Sequence, residues 1–267
     1  MSAVQVDQII EHKSTRLFLI LSGFFICNAL VAEFIGIKIF SLESTLGFTP
    51  FNWTMFGVDN LGFNLTAGVL LWPVVFVMTD VINEYFGQKR VKFLSYLTIG
   101  LIFYAFIIVY TAISLSPNEW WMSQSGLDSS QPQDSISNMN LAFKKIFGQG
   151  LGIIVGSMIA FLIGQIVDVT VFHKIKQYTG EKGVWLRATG STLISQLIDS
   201  YVVLLVAFYW LSDWDLVRVL AIGTVNYIYK FIAAVCLTPV IYGAHYLIDR
   251  YLGEELAERM KLKAAED

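Results

Sequence analysis

The chain carries six apolar stretches of about twenty residues or more, each long enough to cross a bilayer as a helix. This limits the fold more than any other feature does. In lipid every backbone N–H and C=O must be bonded within the protein, which leaves only helices and closed barrels. The stretches lie near 17–40, 64–86, 92–116, 148–173, 188–211 and 217–248. Their length suits helices rather than barrel strands, so the expected fold class is an all-α integral membrane protein of six transmembrane helices. Residues 1–16 read as a cytoplasmic N-terminal lead and 17–248 as one transmembrane domain. An outer loop is expected at 117–147 and a cytoplasmic tail at 249–267. Pro73 and Pro239 fall inside the second and sixth segments and predict kinks.

Charge sets the orientation. Only 15% of the 267 residues are charged and 55% are hydrophobic, whereas a soluble domain carries about 25% charge. Lys and Arg favour the cytoplasmic side. With the N-terminus inside, that side gathers Lys13 and Arg16, the cluster Lys89, Arg90 and Lys92, then Lys174, Lys176 and Arg187, and the tail from Arg250 to Lys263. The outer side keeps Lys144, Lys145 and Arg218. Trp120 and Trp121 suit an interfacial anchor there.

Several functions are excluded. Walker loops, nucleic-acid motifs and Cys/His metal spacings are absent, so no cofactor, metal or nucleic-acid partner is expected. Cys27 and Cys236 sit in apolar segments and imply no disulfide framework. An intramembrane aspartate enzyme is a rival reading, but HExxH, GxSxG and a Gly-x-Gly-Asp motif are missing. The chain is therefore read as a non-enzyme, with function inside the helices.

Polar groups within those helices are costly, about 2.5–3.5 kcal/mol for a charge at the bilayer centre, and mark functional candidates. The second segment places Trp72, Phe76, Asp80 and Glu84 four residues apart on one stripe, with Asn83 beside them. The fourth carries Gly148, Gly152, Gly156, Ala160 and Gly164 at the same spacing, a small-residue ridge that admits another helix closely. That ridge leaves room for a homodimer. Gln165 and Asp168 share a helix face, and Gln196 and Asp199 repeat the spacing. Counted from Arg187, Asp199 lies about 18 Å deep, which makes it the leading acid candidate. The sixth segment offers Asn226, Tyr227 and Lys230, and Lys230 is placed to neutralise Asp199 or another acid. Asn28 completes the set from the first helix. Carboxylates accept paired N–H donors, amides donate and accept, and rings stack. A planar, nitrogen-rich small molecule fits such a lining, and so does a sugar.

The stretches AGVLLWPVVFVMTDVINEYFGQKRVK (67–92), GQGLGIIVGSMIAFLIGQIVDVTVFHKIK (148–176), WLRATGSTLISQLIDSYVVLLVAF (185–208) and NYIYKFIAAVCLTPVIY (226–242) resemble, in order, the vitamin uptake (VUT) family. Its best-known members are queuosine precursor transporters. The resemblance implies a six-helix protein of the bacterial inner membrane that imports 7-deazaguanine bases, with an architecture similar to the substrate-binding subunit of energy-coupling-factor vitamin transporters. Carried onto this chain, the matching polar positions are Asp80, Asn83, Glu84, Gln165, Asp168, Gln196, Asp199, Asn226 and Lys230. A capture subunit that needs an energising partner, or a carrier of another vitamin-like heterocycle, remains an alternative.

Overall fold

The computed structural model describes residues 3–125, 135–148, 151–179, 184–211 and 213–265, with side chains left out at 3–11, 151–152 and 184–185. Residues 1–2 of the expected lead, 126–134 of the expected outer loop and 266–267 of the expected tail lie outside the described residues.

Helix α1 runs unbroken over Ala3–Ile35, so the expected lead is helical from Ala3. An antiparallel pair of short strands follows, β1 (Ile39–Ser41) with the later β4 (Asn64–Thr66). Between them sit the one-turn helix α2 (Leu42–Thr45) and a hairpin of β2 (Trp53–Met55) and β3 (Val58–Leu61). Phe56 and Gly57, both at positive φ (54° and 83°), form its two-residue turn, the twist that tight hairpins require. A 3-10 turn (Ala67–Leu70) leads into α3 (Trp72–Phe86). Then come α4 (Gln88–Ser114), a small hairpin of β5 (Gln124–Ser125) and β6 (Ser135–Ile136), and α5 (Met139–Phe147). The chain closes with α6 (Leu151–Thr179), α7 (Val184–Leu204) with a π-helical turn at Leu205–Trp210, α8 (Leu216–Leu252) and α9 (Glu254–Ala265).

Among the described residues, five stretches are long and apolar enough to cross a membrane: His12–Ile35, Gln88–Ser114, Ile153–Thr179, Leu186–Trp210 and Leu216–Leu252. The second expected segment, 64–86, is the exception. Its first residues are strand and 3-10 turn, and helix α3 has only 15 residues, a rise of about 22 Å. Pro73 makes no mid-helix kink, because it stands in the first turn of α3, where its missing N–H has no partner to lose. Pro239 does lie inside α8.

The bundle is apolar outside and polar inside. Leu19, Phe24, Phe93, Tyr96, Phe103 and Tyr104 are all more than half exposed, while Asp80, Asn83, Glu84, Gln165, Asp168 and Arg187 are buried. Lipid is the solvent that makes such a distribution stable. The main core joins α1, α3, α4, α6 and the end of α8 to α9, through residues such as Phe25, Ile82, Leu94, Phe161 and Leu256. A second cluster packs Leu61, Phe63 and Leu65 of the strand region on Ala221 and Val225 of α8. Lys13 Nζ of α1 reaches Tyr251 O at the end of α8 (3.2 Å), so the two ends of the chain lie at the same end of the bundle.

The strand region is organised by Glu43, a residue the sequence reading passed over. Its buried carboxylate accepts Phe63 N–H (2.8 Å) and the Ser41 hydroxyl (3.1 Å). Gly62 is what admits it, because a Cβ there would lie 2.7 Å from Glu43 Oε1.

Candidate functional site

A pocket lies between α3, α7 and α8. From the α3 side it is lined by Val69, Trp72, Pro73, Phe76, Val77 and Asp80. Thr189, Thr192 and Gln196 of α7 face them, and Tyr229 and Lys230 of α8 complete the polar part above an apolar wall of Ala234, Leu237 and Ile241. The four-residue stripe of α3 explains half of this geometry. Trp72, Phe76 and Asp80 line the pocket in succession, and Glu84 continues the stripe beyond it.

The polar groups are held from behind. Asp80 Oδ2 accepts the Thr192 hydroxyl at 3.2 Å, while Oδ1 finds no partner among the described residues. Asp168 of α6 accepts the Ser195 hydroxyl at 3.1 Å, and Gln165 Oε1 lies 3.0 Å from Thr79 Oγ1. Gln196 lines the pocket with its Nε2 unpartnered, again among the described residues. Lys230 is ion-paired with Asp199. Trp72 rests on Phe161 with ring centroids 5.3 Å apart, which fixes one aromatic wall.

Other sequence candidates fall elsewhere. Glu84 lies below the pocket and is clamped by Arg187, with Nη2–Oε1 at 2.6 Å and Nε–Oε2 at 3.0 Å. Lys176 adds a third charge at 3.5 Å. The Asn83 side chain is buried without a hydrogen-bond partner among the described residues and does not line the pocket. Asn28 spends its amide on Phe24 O (2.8 Å) within α1. Asn226 is half-buried and outside the pocket, and Tyr227 meets Phe231, which is 44% exposed toward lipid. The ring facing the pocket is Tyr229, two residues on, about 200° further around the helix.

Thr189, Thr192 and Tyr229 are therefore pocket residues the sequence reading missed. Its one usable signal was the adjacency of Tyr229 to Lys230. Gly148 caps α5 and so falls outside the small-residue ridge of α6, which is occupied within the chain at Gly156 and Gly164. A Cβ at Gly156 would sit 3.0 Å from Ala207 Cβ, and one at Gly164 would lie 3.7 Å from Asp199 Cβ and 3.9 Å from Phe76. Close approach of α6 and α7 thus brings Asp199 against the pocket wall.

Residues 66–244 match the family model described as "Putative vitamin uptake transporter". Similar proteins include the "Probable queuosine precursor transporter" of Bacillus subtilis (strain 168), 27% identical over 192 residues that cover 72% of this chain and 76% of that protein. The "Queuosine precursor transporter" of Escherichia coli (strain K12) is 26% identical over 208 residues, 78% of this chain and 83% of its own length. A Haemophilus influenzae protein with the same name as the B. subtilis one is 26% identical over 186 residues, 69% of this chain and 70% of its own length. No solved structure matches the chain significantly.

Proposed function

This chain belongs to the vitamin uptake transporter family, and from that premise we propose that it imports queuosine precursors, 7-deazaguanine bases, through the pocket between α3, α7 and α8. It is a multi-pass membrane transporter and not an enzyme. The observation that carries the substrate reading is that two residues lining one aromatic-walled cavity each hold a buried polar atom unpartnered among the described residues, the acceptor Asp80 Oδ1 and the donor Gln196 Nε2. A guanine-like edge presents N–H donors beside a carbonyl acceptor, and its flat ring needs a stacking wall. Asp80 takes the N–H donors, Gln196 or Lys230 donates to the carbonyl, and Trp72, Phe76 and Tyr229 supply the wall. Asp168 and Gln165 brace this lining from α6. Asp199 holds Lys230 in place rather than meeting the base itself.

The architecture follows the same proposal. Helix α3 with its preceding 3-10 turn makes a sixth crossing, buried among the five longer ones, in the manner of the substrate-binding subunits of energy-coupling-factor transporters. Both termini face the cytoplasm of a bacterium, so reporter fusions at either end read the same inner compartment.

The test is binding to purified protein in detergent, read by thermal shift, with deazaguanine bases, guanine, biotin and riboflavin compared. Deazaguanines raise the melting temperature and the vitamins do not. Asp80→Asn weakens that binding by about ten- to a hundredfold, the loss expected for a charge-assisted hydrogen bond. A shift with biotin or riboflavin alone would keep the carrier and reject the substrate.

A further inference from the structure

We propose that α9 is the latch of an inner gate, and that the buried ion cluster at the foot of α3 is the bolt it keeps dry. This rests on the pocket being the site of the transported molecule, and concerns how that molecule leaves it.

Every helix that walls or braces the pocket ends on one polar layer. Glu84 lies one turn below Asp80 on α3, and Arg187 precedes Thr189 by two residues on α7. Their bidentate contact, with Lys176 of α6 at 3.5 Å, ties three helices together directly under the cavity. The fourth helix joins through Tyr85, whose hydroxyl donates to Asp249 of α8 at 2.7 Å and lies 3.1 Å from His245 Nδ1. A molecule moving from the pocket toward the chain termini meets this layer first.

Helix α9 closes the layer from outside. Lys261 pairs with Asp249 at 2.9 Å and sits 5.0 Å from the centre of the Tyr85 ring. Lys176 Nζ reaches the Lys261 carbonyl at 3.4 Å, so one ammonium bridges bolt and latch. Leu256 and Ala257 join the same core cluster as Tyr85 and Phe86. The covalent link to α8 is Gly253, at φ 87°, a single-residue hinge.

The two parts differ in strength, and that difference gives the device its logic. Glu84 and Arg187 are at most 1% exposed, and pulling such a pair apart without water separates opposite charges in a dry interior, a strongly unfavourable step. The grip of α9 is looser. Its ion pair is 19% and 36% exposed, in the class of pairs that contribute little, and its buried contacts include the small residues Ala257 and Ala264. Lifting α9 about Gly253 is the easier first step, and it lets water reach the charges before they separate. The helix lies beyond the matched family segment, residues 66–244.

The test reads access, not transport. In a background of Cys27→Ala and Cys236→Ala, a single reporter is placed at the inner end of the pocket (Thr189→Cys) or at its outer end (Val69→Cys). Maleimide labelling is timed in detergent without any transported molecule. Lys261→Ala speeds labelling at position 189 severalfold, as loss of one partly exposed ion pair and one cation–π contact should. Truncation after Gly253 speeds it further, and position 69 is unchanged in both. An unchanged rate at 189 in Lys261→Ala, or an equal rise at both positions, overturns the latch. The assay contains no substrate, so it fails or succeeds independently of the substrate reading.

Discussion

Glu84 carries two cations, and the asymmetry makes its loss worse than the loss of either partner. Glu84→Gln removes the carboxylate that Arg187 and Lys176 share at 0% and 5% exposure, a penalty of about 3–5 kcal/mol by the usual cost of breaking a buried pair. Arg187→Met leaves Glu84 with Lys176 still at 3.5 Å and should cost visibly less, with the ranking read from melting temperatures in detergent. Glu43 gives a pH test outside the membrane spans. Burial opposes its charge, but hydrogen bonds from Phe63 N–H, from its own and Phe51 backbone N–H and from the Ser41 hydroxyl outweigh that and lower its pKa below the ordinary 4.5. A lowered folded pKa contributes stability that is full above 4.5 and is lost as pH falls through the folded value. Hydrogen exchange at Phe63 N–H should stay slow from neutral pH down to the ordinary carboxylate range, speed below it, and lose that acid-side step in Glu43→Gln. At this scale the sequence was informative where a polar residue interrupted an apolar run, as at Asp80, Gln196 and Lys230. It was silent where the answer depended on which helix face turned inward. Tyr227 and Tyr229 are chemically alike, and only packing distinguishes them: Tyr229 meets Phe63 of the strand region, and Tyr227 meets Phe231. Arg187 looked like an ordinary basic residue at a membrane edge, because sequence spacing does not reveal the partner 103 positions away.

Among the elements, α6 and α7 form the tightest pair, and Gly156 is where that closeness is most demanding. Ala207 Cβ, Ala207 N and Val203 O all lie within 3.2 Å of where its Cβ would be. Gly156→Leu should therefore lower stability by about 1–3 kcal/mol, the usual range for overpacking. Gly100→Leu on the open face of α4, where nothing lies within 4 Å, is the matched control and should be near neutral. Equal effects in a detergent melt would remove the close approach as the cause. The long helices were legible because an apolar run of spanning length has few other solutions in lipid. The strands were not. Residues 64–86 read as one apolar segment, and a window of spanning length averages over the change from strand to 3-10 turn to helix. The local sign was Pro73, which marks a first turn more often than a mid-helix kink. Glu43, the organiser of the strand region, bonds to a backbone group twenty residues away, a distance at which periodicity carries no information.

For the whole molecule, the unequal lengths of the helices have a consequence for the surrounding lipid. Helix α3 rises only about 22 Å, yet its residues from Val75 to Phe86 are almost all buried, so it has almost no boundary with acyl chains. Helix α4 is the opposite case, with large apolar side chains turned outward along its length. Hydrophobic mismatch acts only where protein meets lipid, at fractions of a kcal/mol per Å. A bilayer made thinner or thicker should strain α4 and leave α3, with the pocket wall it carries, at its own height. In vesicles of increasing acyl-chain length, the melting temperature should pass through an optimum while ligand affinity stays flat. The pocket is in this sense insulated from the thickness of its membrane by the helices that have to match it.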